Sequence, residues 1–155
     1  MKVIFISGPS GSGKTTLAKE FIERIKKDTN SIKIINLDGD DLRSINKNQD
    51  YSKEGRIKNI STAISIMRFL ANKQYICVVS IVAPYRFLRD ELKTEFPFLE
   101  VYLHTSEERG REDFFAKDYE EPIDPKHLRI DTGPLTIKES LDEILNVYRK
   151  MATVA

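Results

Sequence analysis

The chain has 155 residues, 40% of them apolar and 32% charged, with a formal net charge of +1. That length suits one domain with a buried core. The balance of 25 basic against 24 acidic residues excludes a global field that would draw the protein onto nucleic acid or a membrane surface. The longest apolar run, Tyr75 to Pro84, falls well short of the roughly 20 residues that cross a bilayer. A lone cysteine, Cys77, sits in the apolar segment Ile76-Cys77-Val78-Val79 and reads as a small buried hydrophobe. The expected setting is the cytoplasm, with no membrane or nucleic-acid partner.

Strand and helix patterns alternate along the chain. The first apolar run, Val3–Ser7, passes straight into Gly8-Pro9 without a cleavage-site pattern and reads as a buried strand. Leu17, Phe21, Ile22 and Ile25 then recur at helical spacing, followed by a second strand over Ile32–Leu37. After a polar stretch, Asn46–Lys53, a longer helix is marked by Ile57, Ile60, Ile64, Met67 and Ala71. A third strand covers Tyr75–Val82, and a shorter helix runs from Tyr85 to Glu95, stopping ahead of Pro97. A fourth strand covers Phe98–His104. The polar segment from about Glu107 to Lys126, with Pro122 and Pro125, reads as a mobile loop over a site. Thr136 and Glu139 form a capping-box pattern at the start of the last helix.

Strands that are apolar throughout are buried on both faces, so helices must cover both sides of the sheet. Residues 1–150 are therefore expected to form one three-layer α/β domain, with a lid region at about 105–126 and a tail at 151–155. Ligands in such sheets sit beyond the C-terminal ends of the strands. Chemistry is to be sought there.

Directly after the first strand, Gly8-Pro9-Ser10-Gly11-Ser12-Gly13-Lys14-Thr15 fits G-x-x-x-x-G-K-[ST] between a strand and a helix. Glycines allow a tight winding that turns successive N–H groups toward phosphate oxygens, and the helix N-terminus adds a favourable dipole. Gly8, Ser10, Gly11, Ser12, Gly13, Lys14, Thr15 and Thr16 are the candidate ATP-binding residues, with Lys14 reaching the β- and γ-phosphates and Thr15 binding Mg²⁺. The fold class is thus a P-loop NTPase fold with a mainly parallel five-stranded sheet.

The second strand ends in Leu37-Asp38-Gly39-Asp40-Asp41-Leu42-Arg43. A carboxylate there can organise a Mg²⁺ shell or orient an acceptor hydroxyl, and an Asp-rich helix cap is the alternative. Arg56 and Asn59 share a helix face directed away from the core, which suits an anionic acceptor, the alternative being a solvated face. The third strand ends in Val79-Ser80-Ile81-Val82 without the aspartate usual in nucleotide-hydrolysing P-loop proteins. That favours a small-molecule kinase drawing its carboxylate from Asp38 or Asp40.

Taken together these segments resemble adenylylsulfate kinases, which phosphorylate the ribose 3′-hydroxyl of adenylylsulfate with MgATP. The matching features are Gly8–Thr15, Leu37–Asp40 with Arg43, Tyr51-Ser52 leading to Arg56 and Asn59-Ile60, Pro84-Tyr85-Arg86 with Arg89, Tyr119–Pro122 and Leu128–Thr132. The resemblance implies metal organisation and hydroxyl activation by Asp38 and Asp40. It implies acceptor binding by Asp40, Arg43, Tyr51, Arg56 and Asn59, with Val82, Ala83 and Pro84 lining a base pocket, and a homodimer. The partners implied are ATP and a small anionic acceptor, a nucleotide conjugate. Residues 107–118 depart from the family pattern: a Lys-Gly-Leu-Tyr stretch is missing, and a Phe-Thr-Gly segment is echoed only by Phe114-Phe115. Arg109 or Arg111 then supplies the catalytic lid arginine, unless residues 106–113 form a solvated helix capped by Ser106. The competing expectations are a same-fold kinase acting on cytidine diphosphoramidate or a sugar acid, and a non-catalytic nucleotide-binding protein.

Overall fold

The computed structural model describes residues 3–30 and 33–153. β1 (Val3–Ser7) leads through the glycine turn into α1 (Lys14–Thr29), and β2 (Ile34–Asp38) runs directly into α2 (Gly39–Ile45). α3 (Lys53–Asn72), β3 (Ile76–Ser80), α4 (Arg86–Glu95) and β4 (Leu99–His104) follow. A 3₁₀ turn at Glu112–Phe114, β5 (Leu128–Asp131) and α5 (Ile137–Thr153) complete the order. The described strands lie in the order β2-β3-β1-β4-β5, and each pairing is parallel.

Alternation along the strands divides the core between two faces. Ile4 and Ile6 of β1 join Val78 and Val101 against Leu17 and Phe21 of α1 and Ile144 and Leu145 of α5. Val3 and Phe5 join Cys77 and Val79 against Ile60 and Met67 of α3 and Leu92 of α4. The expected three layers result, with Cys77 fully buried.

The starts of α3 and α5 are capped by side chains. Ser52 Oγ accepts the Gly55 N–H at 3.3 Å, and at α5 Thr136 and Glu139 close the capping box, each accepting the other's N–H at 3.2 and 2.8 Å. Several boundaries differ from expectation. Ile32 lies outside the described residues, and the second strand begins at Ile34, after Lys33. β5 is only four residues long and carries Arg129 and Asp131, so no apolar run announces it. α5 continues to Thr153, through the first part of the expected tail.

One buried charge network braces the cleft side of the sheet. Arg89 is 1% exposed; its Nε donates to Glu100 Oε1 at 3.1 Å, and its Nη groups donate to the backbone oxygens of Ala83 and Glu120. Lys93 Nζ lies 2.6 Å from Glu100 Oε2 and 3.4 Å from Asp124 Oδ2. Ala83 is held at φ 41°, a strained conformation for alanine. The Glu120 N–H donates to Pro84 O at 2.8 Å, so the far end of the long loop is tied to the β3–α4 connection. Removing one member of a buried ion pair leaves the other charge poorly compensated, which costs about 3–5 kcal/mol. An Arg89→Ala variant is therefore expected to unfold at a clearly lower urea concentration than the wild-type chain. An unchanged midpoint would contradict the network's role.

Candidate functional site

The glycine turn after β1 depends on its backbone. Gly8, Gly11 and Gly13 adopt φ of 148°, 80° and 96°. A Cβ on Gly8 would stand 2.2 Å from Leu103 O, so no other residue fits there. No side chain caps the start of α1, which leaves its first N–H groups to an incoming anion. Lys14 is buried against this turn, its Nζ donating to Pro9 O at 2.7 Å. Desolvation pushes its pKa down to about 8; nearby Asp40 and Asp38 oppose that shift, and Arg111 adds to it.

At the end of β2 the strand stops at Asp38, and Asp40 falls in the first turn of α2. The Asp38 side chain caps α2, accepting the Asp40 N–H on Oδ1 at 2.9 Å. Its Oδ2 accepts the hydroxyls of Thr15 at 2.7 Å and Ser80 at 2.8 Å. The helix-cap reading of this aspartate therefore holds, and its second oxygen also touches the threonine of the glycine loop. Thr15 Oγ1 and Asp38 Oδ2 form a small set of hard oxygen donors. That set fits Mg²⁺, which binds through one or two protein oxygens together with phosphates and water.

The other wall is cationic. Arg43 donates to Asp50 O at 2.8 Å and lies 4.1 Å from the Tyr51 ring centre. Arg56 and Asn59 are 6% and 3% exposed, so the solvated-face alternative does not hold. Arg56 donates to Tyr51 O at 2.9 Å and to Phe114 O at 3.1 Å; the covering segment comes from the long loop, which helical periodicity does not report. Asn59 Nδ2 donates to Gly39 O at 3.2 Å, while its buried Oδ1 finds no hydrogen-bond partner among the described residues. Tyr51 and Phe114 meet with ring centres 5.2 Å apart.

Residues 106–113 do not form a helix. Gly110 sits at φ 73°, and Glu112 Oε1 accepts the N–H groups of Arg109 and Gly110 at 2.7 and 3.2 Å. The resulting turn lays both arginines over the glycine loop. Arg109 Nη1 donates to Gly11 O at 3.1 Å and its Nη2 to Thr132 O at 2.7 Å. Arg111 Nη2 approaches Asp40 Oδ2 at 3.4 Å and stacks 4.9 Å from the Phe114 ring centre.

A cleft of about 400 Å³ joins these groups. Of the candidate catalytic, ATP-binding, metal-binding and acceptor-binding residues, only Gly8 and Ser12 lie outside its lining; Val82, Ala83 and Pro84 form one wall. A second hollow of about 350 Å³ adjoins it at Gly13, Thr16 and Arg109, and is bounded by Thr132, Thr136 and Ser140. Ser80 and Ser140 line these hollows and are not among the candidate site residues read from the sequence. Thr132 closes the Leu128–Thr132 segment noted in the sequence, follows β5 at the C-terminal edge of the sheet, and donates its Oγ1 proton to Ser12 O at 2.9 Å.

Comparison with known proteins points to one family. A sequence model of the adenylylsulphate kinase family matches residues 1–125. The chain is 30% identical to an adenylyl-sulfate kinase from Lactiplantibacillus plantarum, covering 93% of this chain and 79% of that one. It is 28% identical to a probable adenylyl-sulfate kinase from Pyrococcus abyssi, covering 96% and 95%. The Mycobacterium tuberculosis APS kinase CysC, solved in complex with AMPPNP and APS, has the same fold, with a TM-score of 0.76 at 22% identity over 96% of this chain and 97% of that one. The chain belongs to the adenylylsulfate kinase family.

Proposed function

We propose that this protein transfers the terminal phosphoryl group of ATP to the 3′-hydroxyl of adenylylsulfate. The observation that carries the reading is the single cleft in which the glycine loop and Lys14 face Asp38 and Asp40 on one side and Arg43, Arg56 and Asn59 on the other. Family membership supports the same acceptor.

In this reading the glycine-loop N–H groups, Ser10, Ser12, Lys14 and Thr16 hold the triphosphate, and the second hollow beside Gly13 takes the nucleoside end of ATP. Its Ser140 Oγ, buried and without a partner among the described residues, is available to the base. Bound Mg²⁺, held through Thr15 and Asp38, would neutralise charge on the β- and γ-phosphates. Asp40 orients the acceptor hydroxyl and takes its proton as the new P–O bond forms, while the bond to the β-phosphate oxygen breaks and ADP leaves. Arg109 and Arg111 offset charge on the transferring group. Arg43 and Arg56 bind the acceptor's sulfate–phosphate end, and Asn59 offers its open Oδ1 to the nucleoside. The Tyr51–Phe114 pair gives the acceptor's base an aromatic platform in addition to the wall at Val82–Pro84, with Arg43 fixed against Tyr51. No described helix is long and apolar enough to cross a membrane. We place the activity in the cytoplasm, where ATP is supplied, and include a homodimer in the proposal because the family resemblance implies one.

Steady-state ADP release from MgATP, with adenylylsulfate set beside cytidine diphosphoramidate and gluconate, tests the acceptor. Turnover is expected with adenylylsulfate and lost in Lys14→Ala; turnover only with another acceptor would overturn the assignment.

The Lys14 shift gives a second test. The buried ammonium costs the fold stability below pH about 8, and the cost lifts as pH rises toward the ordinary lysine value of 10.5. Phosphate oxygens favour the charged form, so MgATP binding at pH near ~8.5 is expected to take up part of a proton. Calorimetry in buffers of different ionisation heat reads this directly. Equal uptake by a Lys14→Met variant would show that the proton goes elsewhere.

A further inference from the structure

Ser80 occupies the strand end where nucleotide-hydrolysing P-loop proteins carry an aspartate. In the parallel register it stands opposite Asp38 of β2 on one side and Ile6 of β1 on the other. It therefore lies between the strand that feeds the glycine loop and the strand that carries the carboxylate. Its side chain is 2% exposed, and its Oγ lies 2.8 Å from Asp38 Oδ2 and 3.0 Å from Asn36 Oδ1. A serine hydroxyl has one proton to give, and a charged carboxylate is a stronger acceptor than a neutral amide oxygen. The proton goes to Asp38.

We propose that Ser80 is a positioning residue that fixes the Asp38 carboxylate, and through it the Thr15 hydroxyl, for the Mg²⁺ that accompanies ATP. The proposal rests on the reading of this cleft as an ATP site. Asp38 Oδ1 is held by the Asp40 N–H, and Oδ2 receives Thr15 and Ser80 together. With both oxygens engaged, the carboxylate has no freedom to rotate. Thr15 gives its only proton to Oδ2, so its lone pairs are left for a cation. Without Ser80 the cap bond and the Thr15 bond remain, but Oδ2 loses its anchor on β3 and Thr15 follows it. Two residues on neighbouring strands thus share the work that one strand-end aspartate does in nucleotide-hydrolysing relatives of the fold. A neutral serine also leaves the site one negative charge lighter, which suits a cleft that must receive two anionic substrates.

The test separates metal positioning from packing. Calorimetric titration with the non-hydrolysable analogue AMPPNP, in the presence and absence of Mg²⁺, needs no acceptor and no turnover. The wild-type chain is expected to bind more tightly with Mg²⁺. Ser80→Ala is expected to lose roughly 10-fold of that Mg²⁺-dependent tightening, the lower end for outer-shell partners of a metal site, with the Mg²⁺-free affinity unchanged. Ser80→Thr, which keeps the hydroxyl on a β-branched side chain suited to a strand, is expected to recover it. An unaltered Mg²⁺ dependence in Ser80→Ala would overturn the proposal. So would an equal weakening with and without Mg²⁺, which marks a packing role. Failure of the wild-type chain to bind AMPPNP at all would sink the nucleotide reading itself, and the proposal with it.

Discussion

The carboxylate of Asp38 is the point on which the site turns. It is 6% exposed, and a buried charge is tolerated only where donors replace the water it has lost. The three donors come from three parts of the chain: the Thr15 hydroxyl at the start of α1, the Ser80 hydroxyl at the end of β3, and the Asp40 N–H at the start of α2. One side chain therefore sets the spacing between the glycine loop, the central sheet and the helix that carries Arg43. The α2 helix begins where it does because Asp38 caps it, and that start brings Asp40 to the cleft.

Around this centre the electrostatics are local. The chain as a whole is nearly neutral, with a net charge of +1. Yet Lys14, Arg43, Arg56, Arg109 and Arg111 all converge on the cleft that Asp38 and Asp40 line. Arg43 and Arg56 are held by backbone oxygens, of Asp50 and of Tyr51 and Phe114, whereas Arg109 also pairs with Glu107 and Arg111 with Asp40. Carbonyl partners fix direction without neutralising charge, so the positive field of Arg43 and Arg56 stays available to anionic substrates. The Arg89 network performs the same service from behind, gripping the carbonyls of Ala83 and Glu120 and so setting the wall and the exit of the covering loop.

What the sequence discloses follows from where the constraint lies. The glycine loop is legible because its backbone conformation admits few residues; the clash at Gly8 shows why. The strands of the central sheet are legible because burial on both faces leaves long apolar runs. Asp38 is legible as important but ambiguous in role; the structure shows the helix cap and sets the same carboxylate against Thr15. The burial of Arg56 and Asn59 is not legible, since helical periodicity reports only which residues share a face. Arg56 meets Phe114, 58 residues along the chain, and Asn59 meets Gly39. Ser80 gives no signal of its own, because a serine at a strand end is common and only its neighbours across the sheet reveal its use. The arginine turn is open to a helical reading in sequence, and Gly110 and Glu112 close it differently in three dimensions.

The measurement that bears most directly on this arrangement is ATP turnover by Asp38→Asn, set beside its thermal unfolding. Asparagine keeps an oxygen that can cap α2, so the melting temperature is expected to stay within a few degrees of the wild-type value, while kcat/KM falls on the order of 10²-fold. Wild-type turnover in a folded Asp38→Asn chain would contradict the central place of that carboxylate in the site.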